Sequence, residues 1–275
     1  MSAKLVLDRA TAELTQAGVA SPRNDAELLL AHVMGMPRSL LIAARPDEMQ
    51  TQVFRDMVAA RARRVPLQHI TGSAAFRYVE LEVGPGVFVP RPETELVAGW
   101  AIEAAGALEA PVVVDLCTGS GAIALSLVQE VPKASVHAVE LDERAFGWAQ
   151  NNLTGTGVDL RQGDMADAFA DLDGLVDIVV SNPPYIPLEA WESVEAEVRD
   201  HDPELALWSG EDGLDAMRVL EQVAWRLLKP GGIVVAEHAD VQREGVLAVF
   251  AGRWHEVADH DDLADKPRFV TARKP

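Results

Sequence analysis

A chain of 275 residues that is 48% hydrophobic, with ordinary aromatic and charged content, is long enough to bury an α/β core beside a smaller accessory domain, and its composition excludes disorder or low complexity. Its formal charge of −19 is uneven: nine basic and seven acidic residues through Ser73, then 15 basic and 36 acidic, so the larger part repels a naked nucleic acid, although a merely soluble acidic surface explains the charge equally well. No apolar run reaches the roughly 18 residues of a membrane span, Asp8 interrupts the start before a signal-peptide core can form, and Cys117 is the only cysteine; a membrane partner, export, a disulfide framework and a multi-cysteine zinc site are set aside, a cytoplasmic location is expected, and no metal is.

From Lys4 to about Arg64 apolar residues recur at three- and four-residue spacing, as in Leu28, Leu29, Ala31, His32 and Val33, which predicts several short helices in a small bundle. Ser21-Pro22 and Pro46-Asp47 read as helix starts, Gly18 and Gly35 as helix ends. Between Phe76 and Val89 the period changes to two, and Tyr78 to Val83 followed by Gly84-Pro85-Gly86 and Val87 to Val89 predicts a hairpin-like connector. The expected division is a helical domain over 1–73, a β-hairpin connector over 74–90 and a catalytic domain over 91–275.

After Pro90 the order alternates. A helix from Thr94 to about Ala107 precedes a buried strand at Val112 to Leu116; further strands are expected at Val136 to Val139, Val158 to Arg161, Val176 to Ser181 and Ile233 to Ala236. Helices are expected near Ile123 to Val128, Glu143 to Leu153 and Leu214 to Leu228, then a helix near Gln242 to Phe250 and two strands around Glu256 and Phe269. Such alternation means an α/β protein with a mostly parallel, doubly wound, Rossmann-like sheet.

Asp115-Leu116-Cys117-Thr118-Gly119-Ser120-Gly121 follows the first of these strands and precedes a helix. A glycine-rich turn there lets a ligand approach backbone amides. With Ala124 it fits a dinucleotide site almost as well as an S-adenosylmethionine site. Glu140, ending the second strand 25 residues after Asp115, is placed to accept from both ribose hydroxyls, or is a surface acid with Asp142 capping the next helix. Asp164, after the third strand, is a candidate acceptor for an adenine amino group, with Met165 packing on the ring; Cys117 reads as a packing residue.

Asn182-Pro183-Pro184-Tyr185 stands where the fourth strand ends, at the carboxyl edge on which ligands of open α/β sheets bind. Two prolines stiffen the backbone and hold Asn182 extended, so its side chain and the following carbonyl face one direction as acceptors for an NH2 group. A planar nitrogen has a delocalised lone pair; fixing both its hydrogens localises density toward an incoming methyl group, a catalysis by positioning with no evident base. Tyr185 is placed to stack on a planar substrate near a cationic sulfonium. The competing reading is a Pro-Pro turn that ends a strand, with Tyr185 in the core.

Pro66-Leu67-Gln68-His69-Ile70-Thr71-Gly72 with Phe76, Val89-Pro90-Arg91-Pro92-Glu93-Thr94-Glu95-Leu96-Val97, Asp200 to Leu207 and Asp212 to Asp215 complete a pattern. By these motifs the chain resembles the HemK/PrmC family of protein-(glutamine-N5) methyltransferases over nearly all of its length after about residue 60. The resemblance implies a class I S-adenosylmethionine-dependent methyltransferase fold, S-adenosyl-L-methionine as cofactor, and class-1 peptide chain release factors as protein substrate, methylated at the glutamine of their Gly-Gly-Gln motif with help from the helical N-terminal domain. It implies cofactor contacts at Thr118, Gly119, Ser120, Gly121, Glu140 and Met165, with Asp164 and Asn182 also in the expected cofactor-binding set, a grip on the glutamine amide by Asn182 to Tyr185, and Arg91 to Glu95 bordering the site. Arg91 to Glu95 equally reads as a helix start. Met165 stands where the family often has an aromatic residue, and Asp265 to Arg268 replaces a stretch that often carries glycine.

Trp191 and Trp208 are candidates for substrate contact or for covering the sheet edge, while His32 and His69 are expected to pack or cap. Rival functions are a ribosomal-protein glutamine methyltransferase, an N6-adenine-type methyltransferase, which the acidic catalytic part disfavours, and a nucleotide-sensing module without turnover, which leaves the Asn-Pro-Pro-Tyr arrangement unexplained.

Overall fold

The computed structural model describes residues 2–275; Met1, the first residue of the expected helical domain, lies outside the described residues. Two compact units are present, one formed by 1–73 together with 195–201, the other by 74–194 and 202–275.

In the first unit α1 (Ala3–Gln16), α2 (Pro22–Met34), α3 (Glu48–Ala62) and α4 (Leu67–Thr71) close around Leu14, Leu29, Leu30, Phe54 and Val58. Local chemistry sets their ends. Pro22 opens α2, whose carboxyl end stops at Gly35 in the left-handed region. Asp47 caps α3 in a reciprocal box with Gln50. The segment 195–201 belongs to this unit through Glu197, which accepts from Arg61 at 3.0 Å and from Arg64, while Arg61 also donates to buried Asp25 at 2.8 Å.

The connector differs from its expectation. The hairpin is made by β1 (Ser73–Phe76) and β2 (Val79–Glu82), not by Tyr78–Val83 against Val87–Val89. Val87 and Val89 are fully buried but lie outside both strands of the hairpin; Val87 N closes a turn on Gly84 O, and the flanking prolines 85 and 90 have no N–H for a ladder.

The remaining elements, in chain order, are α5 (Thr94–Gly106), β3 (Val112–Leu116), α6 (Ala122–Glu130), β4 (Ser135–Glu140), α7 (Glu143–Leu153), β5 (Asp159–Gln162), β6 (Val176–Ser181), α8 (Ala196–His201), α9 (Asp215–Leu227), β7 (Leu228–Glu237), α10 (Arg243–Val249), β8 (His255–Asp261) and β9 (Pro267–Arg273). Seven strands form one sheet in the order β5-β4-β3-β6-β7-β9-β8, with β9 antiparallel to both of its neighbours. Successive residues of a strand face opposite sides. Val113, Ile178, Val180 and Val235 pack with α5, α6 and α7, whereas Val114, Leu116, Val179 and Val234 pack with α9 and α10. Each such side chain contributes about 1.5–3 kcal/mol by leaving water, and because both faces are covered the strands read as continuous apolar runs. This doubly wound sheet reverses its winding between β3 and β6, the crevice in which ligands of open α/β sheets bind.

Candidate active site

The β3–α6 turn forms one wall. Cys117, Gly119 and Gly121 all take positive φ (59°, 58° and 84°), which turns the chain sharply from the strand into α6. Asp115 is fully buried; its Oδ2 accepts from Thr118 Oγ1 at 2.6 Å and Ala124 N at 3.2 Å, while Oδ1 has no partner among the described residues. Burial pushes the Asp115 carboxyl up to about 7. Ser120 lies buried under the turn, its carbonyl accepting from Asn152 of α7 at 2.9 Å.

Glu140 leaves the end of β4 and accepts from Gly119 N at 2.8 Å and Asp142 N at 2.9 Å. Burial holds its carboxyl above the usual range, against those amide bonds. Asp142 caps α7 through the amides of Arg144 and Ala145, so capping and the Glu140 position coexist. Backbone bonds tie three strand ends together, Thr118 N to Val139 O at 3.0 Å and Gly163 N to Glu140 O at 2.9 Å. Asp164 and Met165 follow β5; the Asp164 carboxylate accepts from Ala166 N at 2.9 Å, and the Met165 sulfur lies 3.7 Å from Cys117 Sγ. Burial and neighbouring carboxylates raise the Cys117 thiol, the opposite of what a nucleophile needs.

Asn182 to Tyr185 leave β6 beside this wall. Asn182 donates through Nδ2 to Thr94 Oγ1 at 3.2 Å, and Tyr185 donates its hydroxyl to Glu237 Oε1 at 3.3 Å while burial raises that hydroxyl. Gln242 donates to the carbonyls of Tyr185 at 2.9 Å and Asp212 at 3.2 Å. Ile186 is bound on both sides of its peptide to Leu207 and Ser209, and Trp191 stacks on Trp208 with centroids 5.3 Å apart. Arg91 donates to Asp202 Oδ2 at 2.9 Å and lies over the Phe88 ring, so the segment before α5 is joined to the insertion.

Thr118, Gly119, Ser120, Gly121, Glu140, Asp164, Met165 and Asn182 to Tyr185 stand at the carboxyl ends of β3, β4, β5 and β6. Sequence reasoning passed over Glu237 and Gln242 and treated Thr94 only as part of a motif. The available signal was Glu237 directly after the apolar run Ile233 to Ala236, the strand register pairing Ser181 with Ala236 and so setting the next residues side by side.

The residues fit S-adenosylmethionine. Open space surrounds the Cα of Gly119, with nothing within 4 Å of an added Cβ, and the unpartnered oxygen of Asp115 and the Glu140 carboxylate supply acceptors of negative charge. Fold and site together define an S-adenosylmethionine-dependent methyltransferase of the doubly wound class.

The profile described as the PrmC N-terminal domain matches residues 6–72, and the one described as the methyltransferase small domain matches 101–197. A release factor glutamine methyltransferase of Streptomyces coelicolor is 60% identical over 97% of this chain and 96% of its own length. A 4-amino-L-phenylalanine/4-methylamino-L-phenylalanine methyltransferase of Streptomyces pristinaespiralis is 42% identical over 94% of this chain and 91% of its own. The crystal structure of a release factor-specific protein-(glutamine-N5) methyltransferase of Alicyclobacillus acidocaldarius is 27% identical, covers 70% of this chain and 99% of that one, and superposes with a TM-score of 0.45. The chain belongs to the release factor glutamine methyltransferase family. Among the described residues no helix is long and apolar enough to cross a membrane.

Proposed function

We propose that this chain, acting in the cytoplasm, transfers the methyl group of S-adenosylmethionine to the side-chain amide nitrogen (N5) of the glutamine in the Gly-Gly-Gln motif of class-1 peptide chain release factors. The observation that carries the reading is Asn182-Pro183-Pro184-Tyr185 at the end of β6, with the Asn182 NH2 group turned to Thr94. That leaves Asn182 Oδ1 and the following carbonyl as two acceptors for the two hydrogens of a substrate amide. S-adenosylmethionine supplies an electrophilic methyl group. Thr118 to Gly121 and Glu140 would hold it, with Asp164 and Met165 as the residues offered to its adenine. Asn182 and the prolines hold the amide plane so that nitrogen density points at the methyl carbon, and Tyr185 closes the other face. The N–C bond would form as the S–C bond breaks, leaving S-adenosylhomocysteine, and the displaced N–H proton would pass to water.

The 42% identical relative named for an aromatic amine favours a second reading, since an aniline nitrogen is also a planar NH2. One assay separates them. Purified protein is expected to transfer labelled methyl to a release factor, with transfer lost when the Gly-Gly-Gln glutamine is changed to alanine. Label appearing only on 4-aminophenylalanine, a ribosomal protein or a nucleic acid would overturn the reading.

A further inference from the structure

Gln242 stands at the N-terminal cap of α10, a position that favours Ser, Thr, Asp or Asn because their short side chains accept from the first free amides of a helix. Its side chain makes no such bond. It is buried, 7% exposed, and each of its polar atoms is used elsewhere: Oε1 accepts from Ala239 N at 3.0 Å, and Nε2 donates to the Tyr185 carbonyl at 2.9 Å and to the Asp212 carbonyl at 3.2 Å. The main chain beneath it is fixed as well, Gln242 N donating to Ala239 O and Val246 N to Gln242 O, both at 2.9 Å. A carboxylate only accepts and an ammonium only donates, so a primary amide is the group that meets two carbonyls and one N–H together. The two carbonyls flank the insertion. Tyr185 ends the Asn-Pro-Pro-Tyr segment, and Asp212 lies just before α9. Between them Ile186 pairs with Leu207 and Ser209, and Leu188 N donates to Gly210 O at 3.0 Å. Gly213 shows how close the approach is: at φ +78°, a Cβ there would overlap both the Tyr185 carbonyl oxygen and Gln242 Nε2.

We propose that Gln242 is a positioning residue for methyl transfer: by donating both amide hydrogens to the carbonyls of Tyr185 and Asp212, it pins the far end of the Asn-Pro-Pro-Tyr segment to the turn between β7 and α10. This rests on the proposed grip by Asn182. The near end of the segment is held by Ser181, which pairs with Leu116 and Ala236 in the sheet and donates its hydroxyl to Leu116 O at 2.6 Å. Four residues, two of them prolines, therefore run between two fixed points, and the acceptors they offer to a substrate amide keep one direction. The Gln242 amide has no hydrogen left for substrate or cofactor, so it acts through Tyr185 and not on the reacting atoms.

The experiment measures methyl transfer to a release factor, cofactor Kd and unfolding temperature for Gln242→Met, Gln242→Glu and Asn182→Ala, with kcat taken per cofactor-binding molecule so that misfolded protein does not count. Gln242→Met keeps the length and loses the hydrogen bonds; it is expected to lower kcat about tenfold, with KM and cofactor Kd within about threefold. Gln242→Glu turns a carboxylate toward two carbonyl oxygens and is expected to lower kcat about 10²-fold at pH 8. Burial among acceptors raises such a carboxyl, and its protonated form regains one donor, so turnover relative to the parent is expected to climb at least about fivefold from pH 8 to pH 6. A merely structural role would lower the unfolding temperature and leave kcat per cofactor-binding molecule, and that ratio, unchanged. If Gln242→Met turns over like the parent while Asn182→Ala is inactive, the grip stands and the role of Gln242 is refuted; a ratio flat with pH in Gln242→Glu refutes it as well. Full activity in Asn182→Ala refutes the grip itself.

Discussion

Asn182 and Glu140 sit at two strand ends, and the physics asks different things of them. Asn182 is proposed to hold the reacting nitrogen, and its amide donates to Thr94 rather than to the glycine turn or Glu140, so Asn182→Ala is expected to cost at least about 10²-fold in kcat, the loss typical of removing one oriented hydrogen-bonding group at a reacting centre, while leaving cofactor affinity within a few-fold. Equilibrium binding alongside single-turnover transfer checks both halves. Glu140 is the reverse case. Its carboxylate already holds Gly119 N and Asp142 N, so Glu140→Ala removes a charged acceptor and loosens the glycine turn. Hydrogen bonds to charged groups are worth about 1.5–3 kcal/mol, so cofactor Kd is expected to rise about 10- to 100-fold by calorimetry, with kcat at saturation far less affected. Both residues were legible because strand ends and a glycine turn are local patterns. Thr94, Glu237 and Gln242 were not. Their partners lie 88, 52 and 57 residues away, and nothing in a local window records which strand neighbours which.

At the scale of elements, hydrophobic period and end signals located nearly all the helices and strands after Pro90, because both faces of the sheet are buried and leave uninterrupted apolar runs. The connector was misread for a physical reason: alternation in Val87 to Val89 reports burial, not pairing, and a strand also needs free N–H groups. The insertion after Tyr185 was equally opaque, since its folding depends on partners far off in sequence such as Arg91 for Asp202 and Arg61 for Glu197. Two predictions belong here. Gly213 has φ +78°, and a Cβ there would meet the Tyr185 carbonyl oxygen and, at 2.5 Å, Gln242 Nε2. Gly213→Ala is therefore expected to push the Asn-Pro-Pro-Tyr segment out of register, destabilising by about 1–3 kcal/mol and lowering kcat about tenfold with cofactor affinity retained; thermal unfolding and kinetics on the same sample test this. In the first unit, Arg61 is the cation between buried Asp25 and Glu197. Removing one partner of a buried pair leaves an uncompensated charge costing about 3–5 kcal/mol, so Arg61→Ala is expected to shift urea unfolding of that unit by this amount. An unchanged midpoint would show that Asp25 and Glu197 find other donors.

Across the whole molecule the ionisable groups fall into two sets with opposite pH dependence. Asp115 and Glu237 are raised to about 7 and Asp202 to about 6, chiefly by burial. Each binds its proton more tightly folded than unfolded, so the stability it contributes is present in full below its unfolded value near 4 and is lost as pH rises through 6 to 7. Glu27, Asp159 and Glu197 are lowered, mainly by arginine partners. Their contribution is present above about 4 and lost only as pH falls through their folded values. The two windows leave a stability maximum on the acid side of neutrality, and a net charge of −19 adds self-repulsion that also eases as pH falls. The unfolding temperature is therefore expected to rise by about 5 °C from pH 8 to pH 6, given about 2–4 °C per kcal/mol for a chain approaching this size; a fall over that interval would place the three carboxyls in water. Ionising the buried Glu237 carboxyl thus costs the fold some of its stability, and Glu237→Gln should flatten part of the pH dependence of unfolding.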